Sequence, residues 1–475
     1  MEKNQVFQTV IEDMNEQGEG IGRVNGYTLF IKDAVIGDRI EGKVVKAKKH
    51  YGYGRVLSIL EPSPFRVTPR CPAAAPCGGC QLQAMSYERQ LQFKEDKVRN
   101  HLVRIGGFSE DSLPMEPILG MEIGEEPFSE KETRGETGGS GPFHYRNKGQ
   151  FPFGRAKDGR IVYGFYAGRT HSIVEAEGCC LGAPVCEKIL QTIKRFMEEY
   201  HIEPYNEETH SGLIRHALIR TGYHTGEIMV CLVINGDRLP RAQVLTDRLM
   251  EIKGMASVSV NINRERTNVI LGEKVVCLSG LPYITDRIGA LTYKISPQSF
   301  YQVNPVQTEK LYGKVLEYAG LTGSETVWDL YCGIGTISLF LAQRAKQVFG
   351  VEIVPAAIEN ARENAKLNGI PNTEFFVGKA EEVVPRWYEE HEEASVDVIV
   401  VDPPRKGCDE TLLKTMVQMR PGKIIYVSCD SATLARDLKY LCEEAYRVEK
   451  VQPVDMFPQG VHCEVCVELG RNKTI

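Results

Sequence analysis

Long apolar runs are missing from this sequence, and no stretch approaches the roughly 18 consecutive apolar residues of a membrane-spanning helix. The opening Met1-Glu-Lys-Asn-Gln5 is polar, without the apolar core of an export signal, so a cytoplasmic chain with no membrane partner is expected. Cysteine is too sparse for a disulfide scaffold, at 14 in 475 residues, and its clustering points instead to metal or to chemistry. Excess positive charge is lacking as well. A formal net charge of −6 excludes a uniformly basic nucleic-acid coat, while leaving room for a local patch. What remains is a globular chain, 42% hydrophobic, long enough for about three domains. No motif points to a protein partner, so a monomer is expected.

The first domain is expected over residues 1–62, where short alternating runs at 6–11, 27–31, 38–45 and 54–60 are broken by glycines, Gly20 and Gly22 among them. Strands at this spacing predict a small β-barrel of the OB type. Lys43, Lys46, Lys48, Lys49 and Arg55 alternate there with Tyr51 and Tyr53. Cations interleaved with aromatic rings suit an RNA backbone and its bases, and a solvated charged hairpin is the alternative. The segment resembles the TRAM domain, an RNA-binding barrel.

A mixed α+β central domain is expected over 63–290. It opens on Arg70-Cys-Pro-Ala-Ala-Ala-Pro-Cys-Gly-Gly-Cys80, whose three cysteines need one more thiolate to complete a four-ligand site. Cys179, Cys180 and Cys186 are candidates, and the spacing leaves zinc and an iron–sulfur cluster both open. A helix is predicted from Tyr87 to Ile105, and strands at 217–221, 227–234 and 258–263. Residues 122–141 are rich in Glu, Gly, Thr and Ser and predict a mobile insertion without chemistry. Arg146 and Lys148 suit either a phosphate contact or solvated surface.

From residue 291 to 475 the pattern becomes α/β, with predicted strands at 326–330, 347–352, 373–377, 396–401 and 423–428 separated by helical stretches. Such alternation makes a parallel, Rossmann-like sheet that binds ligands at the carboxyl ends of its strands. Asp329, Glu352, Asp402 and Cys429 all fall at that edge. Asp329-Leu-Tyr-Cys-Gly-Ile-Gly335 is a glycine turn between strand and helix, but Ser338 stands where a dinucleotide fingerprint wants its third glycine, which disfavours NAD. With Glu352 placed to bind a ribose, the pattern resembles the S-adenosylmethionine (SAM) site of doubly wound methyltransferases.

Two residues narrow the chemistry. Asp402-Pro-Pro-Arg405 has arginine where amino-directed nucleic-acid methyltransferases carry a base-stacking aromatic residue, so methylation of an exocyclic nitrogen is disfavoured. Cys429 ends a strand ahead of a helix predicted to start near Ala432, a position expected to lower its thiol pKa. A cysteine beside a SAM loop suits carbon 5 of a pyrimidine, which is a poor nucleophile until a thiolate adds at carbon 6. A cytosine-directed enzyme would want a Pro-Cys motif, and here the pair is Ser428-Cys429.

Ser428-Cys-Asp-Ser-Ala-Thr-Leu-Ala-Arg-Asp437, Phe300-Tyr-Gln-Val-Asn304, the 329–335 turn and Gly460-Val-His-Cys-Glu464 resemble motifs of the RNA 5-methyluridine methyltransferases. The resemblance implies Cys429 as nucleophile, Glu464 as the base that removes the carbon 5 proton, Gln302, Tyr331, Glu352 and Asp402 as SAM contacts, and Phe300 stacking near a flipped uracil. It further implies a [4Fe-4S] cluster on Cys71, Cys77, Cys80 and Cys179. A barrel and a cysteine cluster together mark the 23S ribosomal RNA branch, with a transfer RNA enzyme and a non-catalytic RNA-binding protein with a redox cluster as alternatives. Lys379 stands where the family often has Asp or Asn, and is left outside the site.

Overall fold

The computed structural model describes residues 1–122, 141–168, 170–175, 178–391 and 395–472, so residues 123–140 of the expected insertion lie outside the described residues. Strands β1 (Val6–Met14), β2 (Gly20–Val24), β3 (Tyr27–Lys32), β4 (Arg39–Ala47) and β5 (Tyr51–Glu61) close into a barrel in the order β1-β2-β3-β5-β4. Its interior is filled by alternate residues of these strands, including Phe7, Ile11, Leu29, Ile31, Ile40 and Val44. Gly20 and Gly22 are not breaks but strand residues. A Cβ on Gly22 would lie 2.6 Å from Thr9 Cγ2 and one on Gly20 2.8 Å from Ile11 Cγ2, so glycine lets β1 and β2 approach.

Helix α1 (Tyr87–Arg104) follows the cysteine-bearing loop. The central sheet contains β6 (Lys148–Arg155), β7 (Ile161–Tyr166), β8 (Ile173–Glu175), β9 (Ile214–Thr221), β10 (Ile228–Ile234), β11 (Met255–Ile262) and β12 (Lys274–Gly280), ordered β12-β11-β10-β9-β6-β7-β8. Helices α2 (Val185–Glu199) and α3 (Ala242–Met250) bury Ile189, Ile193, Phe196, Leu245 and Leu249 against it. A hairpin of β13 (Ile284–Ile288) and β14 (Leu291–Ile295) leads to α4 (Pro305–Ala319), whose first turn is capped by the Asn304 side chain.

The C-terminal unit alternates as expected: β15 (Thr326–Leu330), α5 (Thr336–Ala342), β16 (Gln347–Glu352), α6 (Pro355–Leu367), β17 (Thr373–Val377), α7 (Ala380–Glu390), β18 (Val398–Val401), α8 (Glu410–Met419), β19 (Lys423–Ser428) and α9 (Ser431–Glu444). Beyond α9 the alternation stops. Strands β20 (Tyr446–Val454) and β21 (Glu464–Arg471) follow one another directly, and the sheet order is β17-β16-β15-β18-β19-β21-β20 with β21 antiparallel to both neighbours. That reversal positions the site, because an antiparallel strand brings its first residue to the edge where its parallel neighbours end.

Candidate active site

At the end of β15 the chain enters a tight turn in which Tyr331, Gly333 and Gly335 have φ of 71°, 56° and 80°. The left-handed Tyr331 is held by two bonds, since its N–H and that of Cys332 both donate to Val351 O at 3.0 Å. A Cβ on Gly333 would meet nothing within 4 Å, so this part of the turn faces open space. Glu352 ends β16, and its carboxylate accepts from the backbone N–H groups of Val354 (3.0 Å) and Gly333 (3.3 Å), which fixes it beneath the turn. Ile353, Val354 and Val377 expose apolar surface alongside. Asp329 is buried, and burial pushes its carboxyl up to about 7 against the stabilising bond from Ser338. Ser338 therefore does more than replace a packing glycine: its Oγ donates to Asp329 Oδ2 at 2.5 Å, while Asp329 Oδ1 is left without a partner.

A second group forms across β18, β19 and β21, whose adjoining ends bring Asp402, Cys429 and Glu464 to one place. Glu464 is 4% exposed and its Oε2 has no hydrogen-bond partner. Burial raises the carboxyls of Glu464 and Asp402, and the charge of Asp402 raises Glu464 further, with Arg405 opposing. Cys429 is half-buried, and burial followed by the charges of Glu464 and Asp402 pushes its thiol up to about 11, again against Arg405. The expected lowering by the helix N-terminus is absent. Helix α9 begins at Ser431 and is capped by Asp430, whose carboxylate already takes the N–H groups of Ala432 (3.0 Å) and Thr433 (3.2 Å). An anionic cap offsets the positive end of the helix before it reaches the thiol.

Phe300 is 67% exposed. The loop carrying it is pinned on both sides, by Arg220 donating to Ser299 O, by Asn147 Nδ2 donating to Gln302 O at 2.9 Å, and by Asn304 Nδ2 donating to Met456 O at 3.2 Å. The Gln302 side chain is buried beneath it. Lys379, just beyond β17, forms a surface pair with Glu382 at 3.0 Å. In the barrel, Phe30, Tyr51 and Tyr53 form one aromatic cluster with ring centroids 5.7 to 5.9 Å apart.

Cys71, Cys77, Cys80 and Cys179 are brought near enough to feel one another's charge, which adds to burial in raising Cys77, Cys80 and Cys179. Cys180 and Cys186 flank the group. Among the described residues no three His, Cys, Asp or Glu side chains are close enough to hold a single metal ion, so the four thiols do not make a zinc-type tetrahedron as they stand. Sequence reasoning singled out Arg405 only as a replaced aromatic and missed its counter-charge on Cys429 and Glu464, and it had no signal for the distant side chains holding residues 455–463 in front of Glu464.

The chain matches the family model described as tRNA (uracil-5-)-methyltransferase over residues 144–472, and the TRAM domain model over residues 2–57. A relative from Halalkalibacterium halodurans, described as an uncharacterized RNA methyltransferase, is 48% identical over 463 residues, covering 97% of this chain and 96% of its own. Another from Bacillus cereus, described in the same words, is 46% identical over 472 residues, covering 99% and 98%. Among solved structures, Pyrococcus abyssi tRNA (uracil-54, C5)-methyltransferase in complex with S-adenosyl-L-homocysteine is 29% identical with a TM-score of 0.73, covering 98% of this chain and 100% of that one.

Proposed function

Because the chain belongs to the RNA (uracil-5-)-methyltransferase family and carries its TRAM domain, we propose that it methylates carbon 5 of a uridine in 23S ribosomal RNA, with Cys429 as nucleophile and Glu464 as base. The observation that carries this reading is the convergence of Cys429, Asp402 and Glu464 at one sheet edge, with Glu464 buried and one of its oxygens unpartnered. SAM supplies a methyl group on a positively charged sulfur. The residues suited to holding it are Tyr331 and Glu352 around the open glycine turn, with Asp402 and Gln302 beside them, and the unpartnered oxygen of Asp329 fits a cationic ligand.

The chain's own part in the reaction follows from its groups. Uracil reaches the site out of the RNA stack, with Phe300 exposed to pack against it. The Cys429 thiolate adds at carbon 6 and makes carbon 5 nucleophilic. Once carbon 5 carries the methyl group, Glu464 removes its remaining proton, the double bond re-forms and Cys429 is released. A positioned base of this kind contributes about 10²–10⁴-fold in rate. With its thiol pushed up to about 11, Cys429 must give its proton to a base before it adds. The Glu464 and Asp402 carboxylates, whose charges reach that thiol, are the groups we propose to take it.

A [4Fe-4S] cluster on Cys71, Cys77, Cys80 and Cys179 belongs to the same proposal. Together with the barrel, that site favours ribosomal RNA. Transfer RNA is the second reading, supported by the Pyrococcus abyssi enzyme, whose likeness spans 98% of this chain and so includes the barrel. Methyl transfer from labelled SAM to unmodified 23S and transfer RNA, with the product nucleoside mapped, separates them. Label as 5-methyluridine in 23S RNA supports the first, label only in transfer RNA the second, and none in either would sink both.

A further inference from the structure

Residues 455–463 form the strap between β20 and β21 that delivers the chain to Glu464. Its backbone and first side chain are tethered by groups far away in sequence. Lys94 Nζ donates to Asp455 Oδ1 at 2.5 Å and to Phe457 O at 2.9 Å, with the Lys94 and Asp455 side chains both fully buried. Gln90 and Gln459 exchange two bonds, each of 3.0 Å, one of them from the Gln459 backbone N–H. Leu82 N donates to Gln459 O at 3.0 Å, and the Tyr145 hydroxyl donates to Pro458 O at 3.0 Å. Gln459 itself has φ of 69°, a conformation a non-glycine residue keeps only where its surroundings over-determine it.

These tethers come from around the cysteine-bearing loop. Leu82 ends the loop that carries Cys71, Cys77 and Cys80, and Gln90 and Lys94 lie on the helix that continues from it. Tyr145 is buried in a small cluster with Met121 and Leu181, against which Cys80 and Cys179 pack. A buried ion pair such as Lys94–Asp455 adds little net stability but is costly to break, so its effect is to fix geometry. The middle of the strap is thereby tied to the cysteine-bearing loop and its helix, while Asn304 and Gln307 of the α4 start hold its first residues at Met456 O (3.2 Å) and Asp455 O (3.1 Å).

We propose that Tyr145 and Gln90 are positioning residues for Glu464, clamping the 455–463 strap to the cysteine-bearing loop and so serving the proton removal that ends the reaction. This rests on the reading of Glu464 as base. In that step the Glu464 carboxylate takes the proton from carbon 5, and the carbon–hydrogen electron pair re-forms the carbon 5–carbon 6 double bond. The carbon 6–sulfur bond then breaks, with its pair returning to Cys429. Misplacing the strap slows this step while leaving Cys429, on a different strand, free to add.

The test follows the covalent protein–RNA adduct on denaturing gels in single turnovers of the full chain with SAM and its RNA, for the parent, Tyr145→Phe, Gln90→Met and Glu464→Gln. Tyr145→Phe keeps the ring against Cys80 and Cys179 and removes only the hydroxyl. In Tyr145→Phe and Gln90→Met the adduct is expected to form within about twofold of the parent rate and to decay about tenfold or more slowly, the scale of a misplaced catalytic group. Adduct accumulation in Glu464→Gln, with parent-like decay in the two positioning variants, would overturn the clamp and leave the base assignment standing. Parallel losses in formation and decay, with a lowered melting temperature, would reduce Tyr145 and Gln90 to packing residues. No accumulation in Glu464→Gln would overturn the reading of Glu464 as base, and the clamp with it.

Discussion

Ser338 and Asp329 meet at 2.5 Å in a buried setting, and this bond is what the helix after the glycine turn contributes to the carboxylate at the end of β15. A hydrogen bond to a charged group is worth about 1.5–3 kcal/mol, so losing it makes Asp329 harder to ionise. Ser338→Ala should raise the Asp329 carboxyl above its present value near 7 and weaken SAM binding at pH 7.5 about tenfold. Calorimetric titration checks this, and unchanged affinity would remove Asp329 from the binding site.

Arg405 is the one cation that lowers both Cys429 and Glu464 among their principal influences. Arg405→Gln removes the charge with modest loss of volume. The thiol should rise above about 11, and alkylation of Cys429 by iodoacetamide at pH 8, read by mass spectrometry, should slow about threefold to tenfold as the thiolate fraction falls. A faster reaction would mean that Arg405 shields the thiol and does not activate it.

Stability and catalysis should respond to pH in opposite directions. The Glu464 and Asp402 carboxyls are raised by burial, so the folded chain holds protons that the unfolded chain releases above about pH 4. Stability carried by the protonated forms is complete below that point and is lost as pH rises through the raised values, by up to about 1.4 kcal/mol per pH unit for each carboxyl. Glu464 acts as a base only when ionised, so adduct decay should accelerate over the same interval. Melting temperatures and single-turnover decay measured from pH 5 to 8 test both, and Glu464→Gln should flatten part of the stability profile.

The parallel strands were legible because each is a short, mostly apolar run, and four of the five have a polar residue at or beside their ends, so that Asp329, Glu352, Asp402 and Cys429 fell at one edge by counting alone. Helix α1 shows why the strap was not. Tyr87, Gln90, Lys94, Lys97 and His101 recur at helical spacing, a polar stripe that by pattern belongs in water. In the structure Gln90, Lys94 and His101 are buried, with partners up to 369 residues away. His101, for instance, meets both Ser431 and Glu16 at 2.8 Å. Polarity predicts exposure unless a partner is known, and nothing local in the sequence names one. The Cys429 pKa failed for a related reason: a helix start is visible in sequence, but the buried carboxylates facing it are not.

If the proposed cluster forms, the hydrogen bonds around each sulfur favour Cys179 over Cys180 as its fourth ligand. Burial raises the Cys179 thiol overall, but the N–H groups of Leu181 and Gly182 oppose that rise and are placed to bond its sulfur, as donors around a metal-bound thiolate are. Cys180 instead donates toward Gly178 O at 3.9 Å, as a neutral thiol does. Protein purified without oxygen should contain iron and acid-labile sulfide in equal amounts. Cys179→Ser should lose most of both, and Cys180→Ser should keep them. The reverse pattern would move the ligand by one residue, while iron retained in both variants and in Cys71→Ser would remove the cluster from this loop altogether.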